Sequence, residues 1–336
     1  MENLTERVQN FITEYGEDGY QIAKKSILQD RKITEQVKQV LNYFMEECWP
    51  NKQHPALISL ACEAVGGNRD SPNEVSAALV LLTGAADIHD DIIDKSKTKA
   101  GKATAFGKYS ADTVLIAGDI LLLKALTQLN TASEKYPSKT RQSIRSLVEG
   151  AFIEIGCATA KERSYKGNFN LDPMKYREIV SAKGAVSDAF ARVGAIIGGG
   201  KPDEVEAMGH FGRTFSVLMS IRNEFVDMQD TAELRNRVKN ETLPLPILYA
   251  LKNESAKQKL LTLLRSSITI KRTEQITKLS LRTKEARGLI KEMKSIVRNE
   301  ETTLKIISGN TAPFKLLLKL PLQLCKKTIA QAELES

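Results

Sequence analysis

The stretch ADIHDDIIDKSKTKAGKATAFG, residues 86–107, carries four aspartates within eight positions of an otherwise apolar or small segment. The helical periodicity of the preceding residues predicts one helix over 75–94. On such a helix all four carboxylates project from one face at successive turns. Because buried, unpaired carboxylates are costly, this face calls for a cation, and hard oxygen ligands of this kind suit Mg²⁺. The four residues are Asp87, Asp90, Asp91 and Asp94.

A second acidic group follows much later in the chain, in IRNEFVD at 221–227. Asn223, Glu224 and Asp227 repeat the spacing of the last three aspartates of the first group. Two metal-binding helix faces of this kind could close on one diphosphate from opposite sides. Metal ions there would stabilise a departing pyrophosphate, which is Lewis-acid catalysis.

Helical periodicity dominates the rest of the chain, and no convincing β-hairpin signal occurs. We therefore expect an all-α protein. The predicted organisation is a catalytic-type domain over residues 1–250, followed by a basic helical C-terminal part over 251–336 that packs on the same domain. The predicted helices cover residues 75–94, 111–128, 141–163, 174–197, 203–232 and 244–252.

The composition of the 336 residues, 42% hydrophobic and 27% charged, is typical of a soluble globular protein. No apolar run reaches the roughly 18 residues that a membrane span needs. The polar, acidic N-terminal segment is not typical of a signal peptide. Four scattered cysteines suggest free thiols in a reducing compartment, so we expect a cytoplasmic protein.

The net charge of +8 is concentrated in the C-terminal part. Residues 251–336 hold 18 lysines and arginines against 8 acidic residues, whereas the first 250 residues are slightly acidic. This distribution argues against nucleic-acid binding by the main body. It is compatible with peripheral contact between the C-terminal part and an anionic membrane surface or an acidic partner.

Three segments together resemble the trans-isoprenyl diphosphate synthases, the family of the farnesyl and geranylgeranyl diphosphate synthases. They are IHDDIIDKSKTKAGKATAFGKYSADTVLIAGDILL (88–122), SIRNEFVDMQD (220–230) and NETLPLPILYAL (240–251). The resemblance covers roughly residues 45–251. It implies an isoprenoid-synthase helical bundle around a central cavity, usually dimeric. It also implies a transferase of isoprenoid biosynthesis that condenses an allylic prenyl diphosphate with isopentenyl diphosphate.

The resemblance also implies roles for individual residues. Three aspartates of the first group would bind Mg²⁺, and the second group would hold a further Mg²⁺ ion. Three lysines would bind the allylic diphosphate. The family has a threonine directly after the second of them, Lys183, whereas this chain has glycine at residue 184. Small residues one turn before the aspartates imply a deep chain-length pocket and a product longer than fifteen carbons. The aspartates of the first group are Asp90, Asp91 and Asp94, and the second group consists of Asn223, Glu224 and Asp227. The lysines are Lys99, Lys183 and Lys239, and the small residues are Ala85 and Ala86.

The isopentenyl diphosphate site departs most from the family pattern, whose GGKRxRP corresponds to WPNKQHP at 49–55. Lys52 is retained, but His54 stands where the family has arginine. Charge-assisted contacts to an anion are worth roughly 1.5–3 kcal/mol each, so losing several weakens such a site strongly. Three further positions lack the usual basic side chain, namely Asn51, Thr83 and Ala100.

Three functions stay open at this point. The first is a divergent trans-prenyltransferase with a degenerate isopentenyl diphosphate site, re-formed by Lys52, His54 and Lys99. The second is a terpene-synthase-like enzyme that ionises an allylic diphosphate without a second diphosphate. The third is a non-catalytic or regulatory subunit that pairs with an active homologue. A homodimer or a heterodimer with a homologous synthase is expected by resemblance.

Overall fold

The computed structural model describes residues 3–99 and 101–334, and these ranges are almost entirely helical. A five-residue π-helix, Phe44–Cys48, and a 3-10 turn, Leu304–Ile306, interrupt the α-helices. The antiparallel hairpin β1 (Thr98–Lys99) and β2 (Lys102–Ala103) is the only sheet in the described residues. The predicted all-α fold is confirmed. The helices are α1 (Leu4–Leu28), α2 (Glu35–Tyr43), α3 (Gln53–Ala64), α4 (Asn73–Asp94), α5 (Ala105–Lys108), α6 (Ala111–Ser133), α7 (Ser138–Arg163), α8 (Pro173–Lys183), α9 (Ala185–Ile197), α10 (Pro202–Asp227), α11 (Thr231–Asn240), α12 (Leu245–Ala250), α13 (Glu254–Leu264), α14 (Ile270–Arg282), α15 (Lys284–Thr303) and α16 (Ala312–Leu334).

Two of the predicted helices are divided in the structure. The predicted helix 174–197 breaks at Gly184, where a Cβ atom would lie 3.0 Å from the carbonyl oxygen of Ser181. The predicted helix 203–232 ends at Asp227. A new helix, α11, starts because the Asp230 carboxylate accepts hydrogen bonds from two backbone amides of its first turn.

The chain forms two compact units. The first consists of residues 3–150, 187–212 and 306–313, and it contains the first aspartate group. The second consists of residues 151–186, 213–305 and 314–334, and it contains the second acidic group. The proposed boundary near residue 250 stays a prediction.

Helix α4 forms the core of the first unit, because its residues 75–85 are buried without interruption. It packs most extensively against α6, and α1 and α3 cover another side of it. The close approach of α6 depends on Gly118, where a Cβ atom would lie 3.1 Å from Ile88 Cγ2 and would collide with the His89 ring. The aspartate group therefore sits at the end of a rigid, fully packed helix.

In the second unit the amphipathic helices α14 and α15 pack with α12, and α16 adds a further apolar face. That face lies in the basic segment FKLLLKLPLQLCKK, 314–327. Leu316, Leu322 and Leu324 of this segment are half-buried, whereas five other apolar side chains of the segment are buried. The buried ones are Phe314, Leu317, Leu318, Leu320 and Cys325.

Among the described residues, no helix combines the length and the apolar character that crossing a membrane requires.

Candidate functional site

The first aspartate group occupies the last two turns of α4. Asp91 is only 6% exposed, whereas Asp90 and Asp94 are half-buried. The helix ends immediately afterwards, because Lys95 adopts the left-handed conformation, with φ of 57°, and closes the C-terminus. The chain then turns back into the β1–β2 hairpin, which brings further side chains to the aspartates.

Lys99, on this hairpin, is the cation of the group. Its Nζ lies 2.5 Å from Asp91 Oδ1. Burial opposes the charged form, but the carboxylates of Asp91, Asp87 and Asp90 outweigh it and raise the pKa of Lys99. The ammonium group therefore stays charged at any physiological pH and remains beside the aspartates.

Asp87 is held by a residue for which the sequence suggests no role, Trp49. The indole Nε1 donates to Asp87 Oδ2 at 2.7 Å, and the indole ring stacks on Phe44 at 5.1 Å between centroids. Burial, opposed by Lys99 and reinforced by Asp90, raises the pKa of Asp87 to about 6. Two features of the sequence point to this pair: Trp49 is the only tryptophan, and Asp87 is an additional aspartate one turn before Asp91.

These side chains enclose a small cavity of about 30 Å³ against α4. A space of this size holds about one water molecule. Its polar lining combines two carboxylates with two ammonium groups, which is the composition of a site for a hydrated ion or a phosphate oxygen. The lining residues are Phe44, Cys48, Trp49, Asp87, Asp91, Lys99, Lys102, Ala103 and Thr104.

His89 lies on the other side of the same turn and faces α6. Its Nε2 is 3.3 Å from Asp119 Oδ1, and it packs on Gly118. His89 thus joins α4 to α6 and is turned away from Asp91 by its place in the helix.

The segment 49–55 carries the candidate isopentenyl diphosphate ligands, and each of them already has a partner. Lys52 Nζ pairs with Glu17 Oε2 of α1. His54 stacks edge-on against Phe190, and its Nδ1 lies 3.2 Å from Asn51 Nδ2. Burial lowers the pKa of His54 to about 4, so its imidazole is neutral at pH 7.

Two further positions of that site carry no charge. Thr83 is buried and its hydroxyl donates to the carbonyl oxygens of Leu79 and Val80. Ala100 lies outside the described residues.

The candidate chain-length residues differ in their surroundings. Ala85 is 2% exposed, in the core of the first unit, whereas Ala86 is half-buried.

The second acidic group lies at the C-terminal end of α10, and its three members differ in environment. Glu224 is 6% exposed, Asp227 is half-buried and Asn223 is exposed. Arg237 of α11 approaches both acidic residues: its Nη2 lies 2.8 Å from Glu224 Oε2, and its Nη1 lies 3.4 Å from Asp227 Oδ2.

Further contacts fix Glu224 in place. The backbone amide of Leu245 donates to Oε2 at 2.8 Å, and the Tyr176 hydroxyl lies 3.0 Å from Oε1. The same hydroxyl lies 3.0 Å from Glu162 Oε1 and accepts from Arg237 Nη2 at 2.9 Å. Sequence reasoning missed Arg237, Tyr176 and Glu162, because nothing in the local pattern shows that they meet.

The two remaining candidate lysines also belong to the second unit. Lys183 pairs with Glu162 Oε2. Burial would raise the pKa of Glu162, but Lys183 and Arg237 together hold it below the usual value. Lys239 lies exposed in the last turn of α11.

The donor sets can be compared with what a divalent cation needs. In the described part of the chain, no three His, Cys, Asp or Glu side chains are grouped closely enough to form a ready-made metal site. The first group fits Mg²⁺, because Asp90 and Asp94 offer accessible carboxylates on one helix face. In the second group Asp227 and Asn223 each have an arginine neighbour but are more exposed than Glu224, which is bound on both oxygens.

Comparison with known proteins gives relatives of one kind. A short chain isoprenyl diphosphate synthase of Methanothermobacter thermautotrophicus is 27% identical over 183 residues, which are 54% of this chain and 55% of the relative. A geranylgeranyl diphosphate synthase of Sulfolobus acidocaldarius is 25% identical over 175 residues, which are 52% and 53% of the two chains. The chain thus spans about half the length of the curated relatives it matches.

Solved structures agree over nearly the whole chain. A polyprenyl synthetase from Streptomyces coelicolor A3(2) superposes with a TM-score of 0.80 at 16% identity, covering 94% of this chain and 99% of that one. A geranylgeranyl pyrophosphate synthetase from Pyrococcus horikoshii gives 0.74 at 22% identity, covering 92% and 99%. At these identities the similarity shows the fold, which is that of the isoprenyl synthase helical bundles.

A sequence model of the polyprenyl synthetases matches residues 34–280, well over half of the chain, and this match includes both acidic groups. The chain belongs to the polyprenyl synthetase family.

Proposed function

We propose that the protein is a Mg²⁺-dependent trans-prenyltransferase that condenses an allylic prenyl diphosphate with isopentenyl diphosphate. One observation supports this most: α4 presents Asp90 and Asp94 on one accessible face, with the Lys99 ammonium group 2.5 Å from Asp91. Carboxylates beside a permanent cation are suited to a diphosphate and its metal ions together.

In this proposal Asp90, Asp91 and Asp94 would hold Mg²⁺ at the site of the allylic diphosphate. Bound there, Mg²⁺ would neutralise the charge of the departing pyrophosphate. Lys99, beside Asp91, would donate a further hydrogen bond to a phosphate oxygen. The Trp49–Asp87 hydrogen bond fixes the floor of this site and keeps the aromatic stack against α4.

The second acidic group and the later lysines, all in the second unit, are proposed to bind a diphosphate group and its metal ion. Asp227 and Asn223 contribute oxygen ligands, while Lys183 and Lys239 contribute positive charge. Lys183 would leave Glu162 to do so, and Arg237 would remain to balance that carboxylate.

The isopentenyl diphosphate site is proposed to be weak. Lys52 must be released from Glu17 before it binds an anion. A neutral His54 donates at most one uncharged hydrogen bond, which is roughly half as strong as a charge-assisted one. We therefore propose a high KM for isopentenyl diphosphate.

The same contacts support a second candidate function, a prenyl-diphosphate-binding subunit that pairs with an active homologue. A partner with an intact second site would supply what this chain lacks. In that case the chain would bind the allylic substrate and influence product length. Half-buried Ala86 is the better candidate for the chain-length pocket, because Ala85 is enclosed in the core.

A homodimer or a heterodimer with a homologous synthase is proposed to form through α6. This helix exposes four large apolar side chains, 46–66% exposed, at a spacing that places them along one side. Exposed apolar patches of this kind mark interaction sites. The side chains are Leu115, Ile116, Leu123 and Leu126.

Pyrophosphate release tests these functions. The purified protein is incubated with Mg²⁺ and geranyl, farnesyl or geranylgeranyl diphosphate, with and without isopentenyl diphosphate. Release that requires both substrates supports the prenyltransferase, and release without isopentenyl diphosphate supports terpene-synthase-like ionisation. No release, together with Mg²⁺-dependent binding of the allylic diphosphate, supports the subunit. Asp90→Asn is the active-site control, and exposed Asp112→Asn on α6 is its matched counterpart.

A further inference from the structure

The central carboxylates of the two acidic groups, Asp91 and Glu224, are both buried, but they differ in how they are bound. Asp91 pairs with Lys99 through Oδ1, whereas Glu224 has polar partners on both of its oxygens. Glu224 Oε1 lies 3.0 Å from both Tyr176 Oη and Arg237 Nη2. Its Oε2 accepts from Arg237 Nη2 and from the Leu245 amide, each at 2.8 Å. Each oxygen therefore has two polar partners, with the side chain only 8% exposed.

A divalent cation at Glu224 would have to displace a guanidinium or a backbone amide inside this buried site. Removing one partner from a buried, hydrogen-bonded ion pair leaves the other charge uncompensated, which is strongly unfavourable. Asp227 is half-buried and Asn223 is exposed, so their contacts with Arg237 and Arg222 lie closer to solvent than those of Glu224.

Arg237 is the centre of the surrounding network. It is buried, donates through Nε to the Thr242 carbonyl oxygen at 2.7 Å, and reaches Asp227 at 3.4 Å. Through the Tyr176 hydroxyl it also connects to Glu162, which holds Lys183. One buried cluster therefore touches, directly or through one residue, both candidate diphosphate-site residues Asp227 and Lys183.

We infer that Glu224 is the structural anchor of a buried network and not a metal ligand, and that Arg237 is the positioning residue through which this network orients Asp227 and Lys183. What Asp227 and Lys183 bind rests on the proposed function. That Glu224 and Arg237 stabilise each other rests on the observed contacts alone.

Glu224→Gln separates an anchor from a ligand, since glutamine keeps the shape and one of the two acceptor oxygens but loses the charge. Mg²⁺ is titrated calorimetrically into each protein at saturating inorganic pyrophosphate. We expect Glu224→Gln to lower the Tm of the metal-free protein, because Arg237 loses its buried counter-charge, and to raise the Mg²⁺ dissociation constant by less than Asp227→Asn does. Asp227→Asn should raise that constant by more than about 10-fold while leaving the Tm of the metal-free protein nearly unchanged.

Arg237→Lys tests positioning, because it keeps the charge but loses the forked contacts. We expect it to weaken Mg²⁺–pyrophosphate binding by about 10-fold, as loss of an orienting partner does elsewhere. An unchanged affinity in Arg237→Lys would refute the positioning role. A loss of affinity in Glu224→Gln equal to that in Asp227→Asn, at unchanged Tm, would show that Glu224 is a ligand.

A double-mutant cycle with the Tm as readout tests the anchoring role independently of metal binding. If the wild-type protein takes up no Mg²⁺, only the proposed function is refuted, and the cycle still decides whether Glu224 and Arg237 are coupled. Glu224→Met and Arg237→Met should each lower the Tm, and the double variant should be more stable than either single variant. A double variant in which the two losses simply add would refute the coupling.

Discussion

Replacing Asp87 by asparagine should stabilise the protein, and the gain should depend on pH in a defined way. Burial raises the pKa of Asp87 from 3.8 to about 6, so the native state resists its ionisation. At one pKa unit per 1.36 kcal/mol, ionised Asp87 costs about 3 kcal/mol at pH 8. Because the pKa of Asp87 is higher in the folded state than in the unfolded state, protonated Asp87 favours folding. This contribution to the free energy of unfolding is fully present below pH 3.8 and is lost as the pH rises through about 6.

Urea unfolding of the wild type and Asp87→Asn at pH 4, 6 and 8 measures this difference. The advantage of the variant should be small at pH 4 and should grow by about 2–3 kcal/mol by pH 8. Trp49 keeps an acceptor in the variant, because the amide oxygen can take the place of Oδ2. Asp18→Asn, on the exposed face of α1, is the matched control and should show no such growth. An advantage that is equal at pH 4 and pH 8 would refute the raised pKa of Asp87.

Three further substitutions test other parts of the molecule. Glu17→Gln frees Lys52 from a partly exposed ion pair worth up to about 1 kcal/mol, so steady-state kinetics should show a several-fold lower KM for isopentenyl diphosphate. An unchanged KM would show that the ion pair does not compete with the substrate. Leu123→Glu places a charge on the exposed apolar face of α6; sedimentation should show monomers in place of dimers, and an unaltered dimer would exclude this face as the interface. Gly107→Ala adds a Cβ atom that collides with the Lys97 carbonyl oxygen, just before the β1–β2 hairpin, so denaturation should show a free energy of unfolding lower by about 1–3 kcal/mol. An unchanged free energy of unfolding would mean that the hairpin moves aside freely.

The sequence predicted the fold and the aspartate-bearing helix because both depend on local periodicity. Helix α4 was expected over 75–94 and spans Asn73–Asp94. The expected helix over 174–197 breaks at Gly184, where a Cβ atom would make tight contacts of 3.0–3.1 Å with Ser181 and Arg213.

Contacts between distant parts of the chain explain what the sequence did not show. Trp49 and Asp87 are 38 positions apart, and Arg237 and Tyr176 are 61 positions apart. Neither pair has a spacing that signals contact. The acidic spacing of the second group likewise gave no indication that Glu224 is enclosed while its neighbours are accessible.

Under the proposed function, this chain transfers a prenyl group to isopentenyl diphosphate. The most direct measurement is incorporation of labelled isopentenyl diphosphate into butanol-extractable product, with Mg²⁺ and each of the three allylic diphosphates, followed by chain-length analysis. We expect slow incorporation that saturates only at high isopentenyl diphosphate, is lost in Asp90→Asn and gives products longer than fifteen carbons. No incorporation by the purified protein with any allylic substrate, at any concentration of isopentenyl diphosphate, would contradict the claim and leave the binding-subunit function.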